Sequence, residues 1–165
     1  MAPSVSPLYG SFALYPSGVT LVTVRDGDDH QFFVAASVLT ASVEPFALAV
    51  SVARHRIGAD AMIAGKTWAL SILATRHLPL VRSITGLTPR TDRLRALFTA
   101  GAEESPEGPL WLPDALVTFW CTTLSVTPVN DQLLIAGGVL RGSPHRDGDP
   151  LLRWQHSFRG IGDAQ

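Results

Sequence analysis

The sequence predicts a mainly β, antiparallel barrel with a few short helices, and three observations lead there. About six or seven segments are dense in β-branched and aromatic residues and are bounded by Gly, Pro, Asn or Asp. The two or three stretches with helical spacing are all short. The chain has 165 residues, 46% apolar and 16% charged, which is the make-up of one folded domain and excludes general disorder. Area scaling gives roughly 8,000 Å² exposed when folded against about 26,000 Å² extended, enough to bury a sizeable core.

Residues 18–25 (GVTLVTVR) form the first strand, and the Asp26-Gly27-Asp28-Asp29 turn joins it to a second at 31–36 as a hairpin. Pro45 introduces a third strand, 46–52. Residues 57–65, apolar at Ile57, Ala61, Met62 and Ala64, read as a short helix closed by glycine. A strand at 67–73 follows, then a helix at 78–85 with Pro79 in its first turn and a second short helix at 92–98. Residues 101–113 are rich in Gly, Pro and Glu and read as a long loop. The next strand, 115–126, is broken by Pro128 and the Asn130-Asp131 turn. A strand at 132–141 carries Gly137-Gly138, the mark of a bulge or a close backbone approach. After a loop at 143–150, the last strand places Leu152, Trp154, His156 and Phe158 on one face and Arg153, Gln155, Ser157 and Arg159 on the other. One domain is expected over 1–165, with 1–8 as a flexible N-terminus.

Composition also bounds the partners. A net charge of −1 and a pI near 6.5 give no electrostatic case for nucleic acid. The longest clean apolar run, 46–53, is far short of a membrane span. A single cysteine, Cys121, cannot staple the fold, and no basic segment precedes an early apolar stretch as in a secretory leader. The expectation is a cytoplasmic domain with no membrane and no nucleic-acid partner. Twelve arginines stand beside one lysine, Lys66; clustered arginines would suit phosphate, and GC-rich coding would give the same excess.

The common catalytic signatures fail. Ala64-Gly65-Lys66-Thr67 ends like a phosphate-binding loop, but Asp60 stands where that motif needs glycine, and the order is helix then strand. There is no GxSxG elbow. The five histidines lack metal-ligand spacing, so no metal is expected. Cys121 reads as a structural thiol.

Several segments taken in order carry a resemblance. Tyr15-Pro16-Ser17-Gly18-Val19-Thr20 runs into a β-branched strand, and residues 35–45 (AASVLTASVEP) run into FALAVSV. Residues 68–73 resemble an "FAVNVL"-like strand. Asn130-Asp131-Gln132 precedes a strand with Gly137, and the chain closes with Pro150-Leu151-Leu152-Arg153-Trp154. From about Leu8 to Gly160 this series resembles the short-chain flavin reductases, the small components of two-component flavin monooxygenases. The resemblance implies an FMN-binding, Greek-key-like split β-barrel acting as a homodimer. It also implies FMN or FAD as flavin, NADH or NADPH as electron donor, and a flavin-dependent monooxygenase as partner.

Cofactor contacts implied by the resemblance are Ala35, Ala36, Ser37, Val38, Leu39, Thr40 and Ser42, then Ser51, Arg54, Arg56 and Gln132. Small side chains at 35–42 would let the backbone approach a flat ring, and the hydroxyls of Ser37, Thr40 and Ser42 could bond its oxygens. A tight turn explains the same composition equally well. Arg54-His55-Arg56 directly precedes a helix and would suit phosphate. The family's Ser-x-Thr falls at Arg56 and Gly58, so both hydroxyls are missing, and its Asp-His pair appears as Asp131-Gln132, which cannot titrate. His156, set between Trp154 and Phe158, is the candidate catalytic residue, with a packed core histidine as the other reading. Three functions stay open: a flavin reductase, an enzyme of another class using the barrel for a small organic ligand, and a non-catalytic flavin carrier.

Overall fold

The computed structural model describes residues 5–162. Its strands are β1 (Ser17–Gly18), β2 (Thr20–Asp26), β3 (Asp29–Ala35), β4 (Val38–Ser42), β5 (Ala47–Ala53), β6 (Trp68–Ile72), β7 (Glu103–Glu104), β8 (Leu110–Trp111), β9 (Val117–Val129), β10 (Gln132–Gly142), β11 (Leu152–Trp154) and β12 (Ser157–Arg159). The helices are α1 (Pro7–Ser11), α2 (Ala59–Ile63), α3 (Leu78–Thr85) and α4 (Arg90–Thr99).

Seven strands form one antiparallel sheet in the order β3-β2-β6-β9-β10-β5-β4. Its two edge strands, β3 and β4, are consecutive in the chain and joined only by Ala36 and Ser37. A flat sheet would hold these edges about 29 Å apart, whereas the link reaches at most about 11 Å. The sheet is therefore rolled until its edges converge, without pairing to each other. The result is a barrel split along one seam, the split-barrel form of the expected fold.

Strand alternation supplies two cores. From β2, Val22 and Val24 point inward to Val50, Val52, Trp68, Leu70 and Ile135, and Met62 of α2 plugs this interior. Leu21, on the other face of β2, joins Val19 and Leu73 under Leu80, Val81 and Ile84 of α3 and Leu97 of α4. Trp68 Nε1 donates to Thr123 Oγ1 at 3.1 Å, and Thr123 Oγ1 donates to the Met62 carbonyl at 2.8 Å, tying α2 to the sheet. Register shifts at Ala136/Gly137, and a Cβ on Gly137 would stand 2.3 Å from Trp68 Cζ2. Both the bulge and the close approach read from the glycine pair are present.

Four local expectations need correction. Residues 38–42 form the edge strand β4, paired to β5, where no strand was expected. The 101–113 stretch contains the β7–β8 hairpin, with Leu110 and Leu112 buried as core residues. Pro128 does not break β9, which continues to Val129. The 129–132 pair closes the turn, so 128–133 is a non-hydrogen-bonded pair and the proline nitrogen faces away from β10. The last strand is two strands, β11 and β12, separated by a turn in which Gln155 and His156 have φ of 49° and 61°. His156 therefore sits on a hairpin tip and not on an aromatic strand face. Of the N-terminal arm, Pro7 and Leu8 begin α1, and residues 1–4 lie outside the described residues.

Candidate functional site

Two hollows lie along the seam. The first, of about 460 Å³, is floored by the β3–β4 link at Ala36 to Leu39 and by Ser51 and Leu134 of the β5–β10 pair. Phe12 and Tyr15, with rings stacked at 5.3 Å, form one wall, and Arg153, Gln155 and His156 of the β11–β12 hairpin form another. Two bonds hold this wall to the N-terminal segment: Trp154 Nε1 donates to the Leu14 carbonyl at 3.0 Å, and the Gln155 N–H to the Ala13 carbonyl at 2.9 Å. The cleft thus offers a flat aromatic side, a small-residue backbone side and the hydroxyls of Ser17, Ser37 and Ser51. That donor set and shape fit a planar heteroaromatic ring such as isoalloxazine.

The second hollow, of about 650 Å³, is lined by Arg56, Arg90, Arg93, Arg153 and His55 over an apolar shelf that includes Phe33 and Ile57. Arg153 borders both hollows. Ser51 in the first and Ala53 in the second lie two residues apart on one face of β5, about 7 Å along the strand. The two hollows are consecutive stations on one groove.

The sequence candidates are distributed unevenly along that groove. Ala36, Ser37, Val38, Leu39, Ser51 and His156 come together in the cleft. Ala35 is buried at the end of β3, its carbonyl accepting from Thr20 Oγ1 at 2.8 Å. Thr40 and Ser42 continue along β4 outside the cleft lining. Arg56 faces the second hollow and lies 5.7 Å from the Phe33 ring centre. Arg54 turns away, its Nε donating to the Asn130 carbonyl at 2.6 Å, and so braces the β9–β10 turn. Gln132 pairs with Ala53 across β5–β10, one step beyond the Ser51–Leu134 pair on the same face.

The helix after Arg56 contributes little to anion binding. It is α2, five residues long, and the Ala59 N–H is already taken by the Arg56 carbonyl at 3.1 Å. Gly58, its N-cap, has φ 100° and is packed against Val24, Gln31 and Phe33, so a hydroxyl-bearing residue there would be strained. Sequence reasoning missed Phe12, Tyr15, Leu134, Arg90, Arg93 and Arg153 as groove residues. The arginine excess was the one available signal for the last three.

Other reactive groups are occupied. Ser83, His77 and Asp114 share a separate hollow, but His77 Nδ1 accepts the Ala74 N–H at 3.0 Å. Its Nε2–H is thereby committed to Asp114 Oδ1 at 3.1 Å, and no lone pair remains to activate Ser83. Burial pushes the Cys121 thiol up to about 12, so it is not a nucleophile at neutral pH. Among the described residues no three His, Cys, Asp or Glu side chains gather as for a metal ion, and no helix is long and apolar enough to cross a membrane.

Comparisons with known proteins agree with this geometry. The NADH:riboflavin 5′-phosphate oxidoreductase of Streptomyces pristinaespiralis is 30% identical over 164 residues, covering 94% of this chain and 89% of that protein. A diflavin flavoprotein of Thermosynechococcus vestitus is 28% identical over 127 residues, and this chain spans only 22% of its length. The crystal structure of the flavin reductase component of a bacterial two-component tryptophan halogenase superposes with a TM-score of 0.84 at 24% identity, covering 95% of this chain and 98% of that one. The flavin reductase like domain family matches residues 12–162, and the chain belongs to that family of flavin-handling oxidoreductases.

Proposed function

We propose that this protein is an NAD(P)H-dependent flavin reductase that supplies reduced flavin to a partner monooxygenase. The observation that carries the reading is the seam cleft, whose aromatic wall faces a small-residue strand link in a chain of this family. A flavin held there would supply the redox chemistry, with the nicotinamide as hydride donor. The chain's own part is orientation. Phe12 and Tyr15 cover one ring face, the Ala36 to Leu39 backbone supports the other, and Ser37 and Ser51 bond ring or ribityl oxygens.

Arg56 replaces by charge the hydroxyls that the family has at this position and at Gly58, and Gln132 orients the nicotinamide where the family uses histidine. His156 borders the cleft from the exposed hairpin tip. The positive φ at Gln155 and His156 supports this role, since a two-residue turn there would be more comfortable with Asn-Gly.

A homodimer belongs to the same reading. Leu39, Leu124, Val129 and Leu140 are between 50% and 68% exposed on β4, β9 and β10, and a second copy would cover them. The relative named for NADH and riboflavin 5′-phosphate supports the donor, and the halogenase reductase component supports an oxygenase-type partner. The cytoplasm is the compartment this reading assigns.

Titrating FMN and FAD fluorescence with purified protein, then adding NADH or NADPH to the same sample, tests the proposal. Saturable quenching followed by multiple-turnover oxidation of the donor is the expected result. Binding without turnover would replace the reductase by a carrier, and no binding would return the barrel to an organic-ligand enzyme. Size-exclusion chromatography reads the dimer.

A further inference from the structure

The N-terminal segment that walls the seam cleft is lightly attached. Across residues 5–16 only Ala13 is even half-buried, and α1 buries no side chain. Val5, Leu8, Tyr9, Phe12, Leu14 and Tyr15 are between 60% and 79% exposed, so packing against the core does not hold the segment in place. Its root is fixed, because Ser17 and Gly18 of β1 pair with Arg153 and Leu152 of β11. Beyond that root, two hydrogen bonds tie it to the β11–β12 hairpin. Consecutive hairpin residues give them to consecutive carbonyls, the Gln155 N–H to Ala13 and Trp154 Nε1 to Leu14.

The two bonds differ in what they require. Any residue but proline could supply the backbone N–H at 155, whereas the bond to Leu14 needs the indole N–H of Trp154. The indole is also held in place: the Arg159 guanidinium lies 4.7 Å from its ring centre. A net hydrogen bond is worth roughly two- to tenfold in an equilibrium constant, so a segment carried by two of them opens readily. Tyr9, Phe12 and Tyr15 line the cleft from this segment. A flat ligand against them covers apolar surface that is otherwise in water, so its binding favours the closed arrangement.

We propose that residues 5–16 are a strap along the cleft and that Trp154 is its latch, a positioning residue. The indole N–H holds the aromatic wall in place, and release of that bond sets how fast a flat ligand leaves. The inference rests on the flavin reading only for the identity of that ligand.

Stopped-flow measurement of FMN release from wild type and Trp154→Phe tests it. The variant keeps an aromatic ring and loses only the N–H donor. Its FMN dissociation rate should rise roughly two- to tenfold with the urea unfolding curve unmoved. In turnover the KM for FMN should rise while kcat does not fall. Phe12→Ala removes part of the wall itself, so adding Trp154→Phe to it should speed release far less than it does in wild type. If Trp154→Phe does not fold, Arg159→Gln leaves the N–H present but frees the ring, and should speed release by a smaller factor. Unchanged release in the folded Trp154 variant would overturn the proposal. Equal factors in the wild-type and Phe12→Ala backgrounds would also overturn it, since Trp154 would then act independently of the strap.

A measurement without flavin separates the latch from its ligand. Chymotrypsin cleavage after Phe12, followed by mass spectrometry on flavin-free protein, should be roughly two- to tenfold faster in Trp154→Phe, because cleavage follows the open population. Equal cleavage rates would overturn the latch. Should wild type bind no FMN, the flavin reading of the cleft falls, and this cleavage comparison still decides the latch.

Discussion

Along the β6–β9–β10 flank the largest side chains are fully enclosed, with Trp68 and Trp120 exposing nothing and Gly137 pressed against the Trp68 ring. On the opposite side, the β3–β4 seam carries exposed aromatics, arginines without carboxylate partners and two adjacent non-glycine residues at positive φ. One flank spends its side chains on packing. The other holds groups that packing alone would not select, and its hollows lie there. Stability is thus carried mainly by the packed flank and ligand binding by the seam with the chain-terminal segments that wall it, and substitutions should separate them.

The largest effect is expected on the packed flank. Trp68→Ala removes the central ring and its bond to Thr123, and should cost about 3–5 kcal/mol in urea unfolding. Gly137→Ala should cost about 1–3 kcal/mol by the same measurement, because the new methyl meets Trp68 and the Cys121 Cβ at 3.0 Å. A flavin affinity lost before stability in either variant would break the comparison.

On the seam the sign reverses. His156→Gly relieves a left-handed residue and should raise stability by roughly 0.5–1 kcal/mol while lowering reductase turnover. Stability falling with that substitution would mean the imidazole supports the fold.

The smallest effect concerns pH. A bidentate bond from Arg141, whose guanidinium also lies 3.5 Å from the Trp120 ring centre, holds the Glu107 carboxyl below its ordinary 4.5. A carboxylate lowered on folding contributes stability above its unfolded value and loses it as pH falls through the folded one. Glu107→Gln should therefore cost up to about 1 kcal/mol at pH 7, with the difference from wild type vanishing on acidification below that range. A difference that persists in acid would show that the carboxylate charge is not its source.

Most of the barrel was legible because strand alternation, turn residues and β-branched runs act locally; the helix at 78–85 has the expected bounds. What could not be read depends on partners distant in sequence. β4 is five residues long and mixes Val38 and Leu39 with small and hydroxylated residues, and only its pairing with β5 makes it a strand. Pro128 stays in β9 because of its register against Leu133. The alternation from Leu152 to Phe158 suggested one strand, yet the chain turns at Gln155 and His156, where the Gln155 N–H bonds the Ala13 carbonyl. The cleft was half legible: its floor lies in the contiguous 36–39 link, whereas its walls come from the two ends of the chain. Arg90 and Arg93 are neighbours at i, i+3 on α4, but Arg153 meets them only once the chain is folded, so no spacing in the sequence marks the three together.

The most direct test of the seam as the flavin site is to block it without touching the core. Ser37 is exposed on the β3–β4 link at the cleft floor, so Ser37→Trp should leave the unfolding free energy from urea titration within about 0.5 kcal/mol of wild type. In a fluorescence titration with FMN, wild type should quench saturably and the variant should bind at least roughly tenfold more weakly. Equal quenching by the two proteins would place the flavin elsewhere and contradict the account.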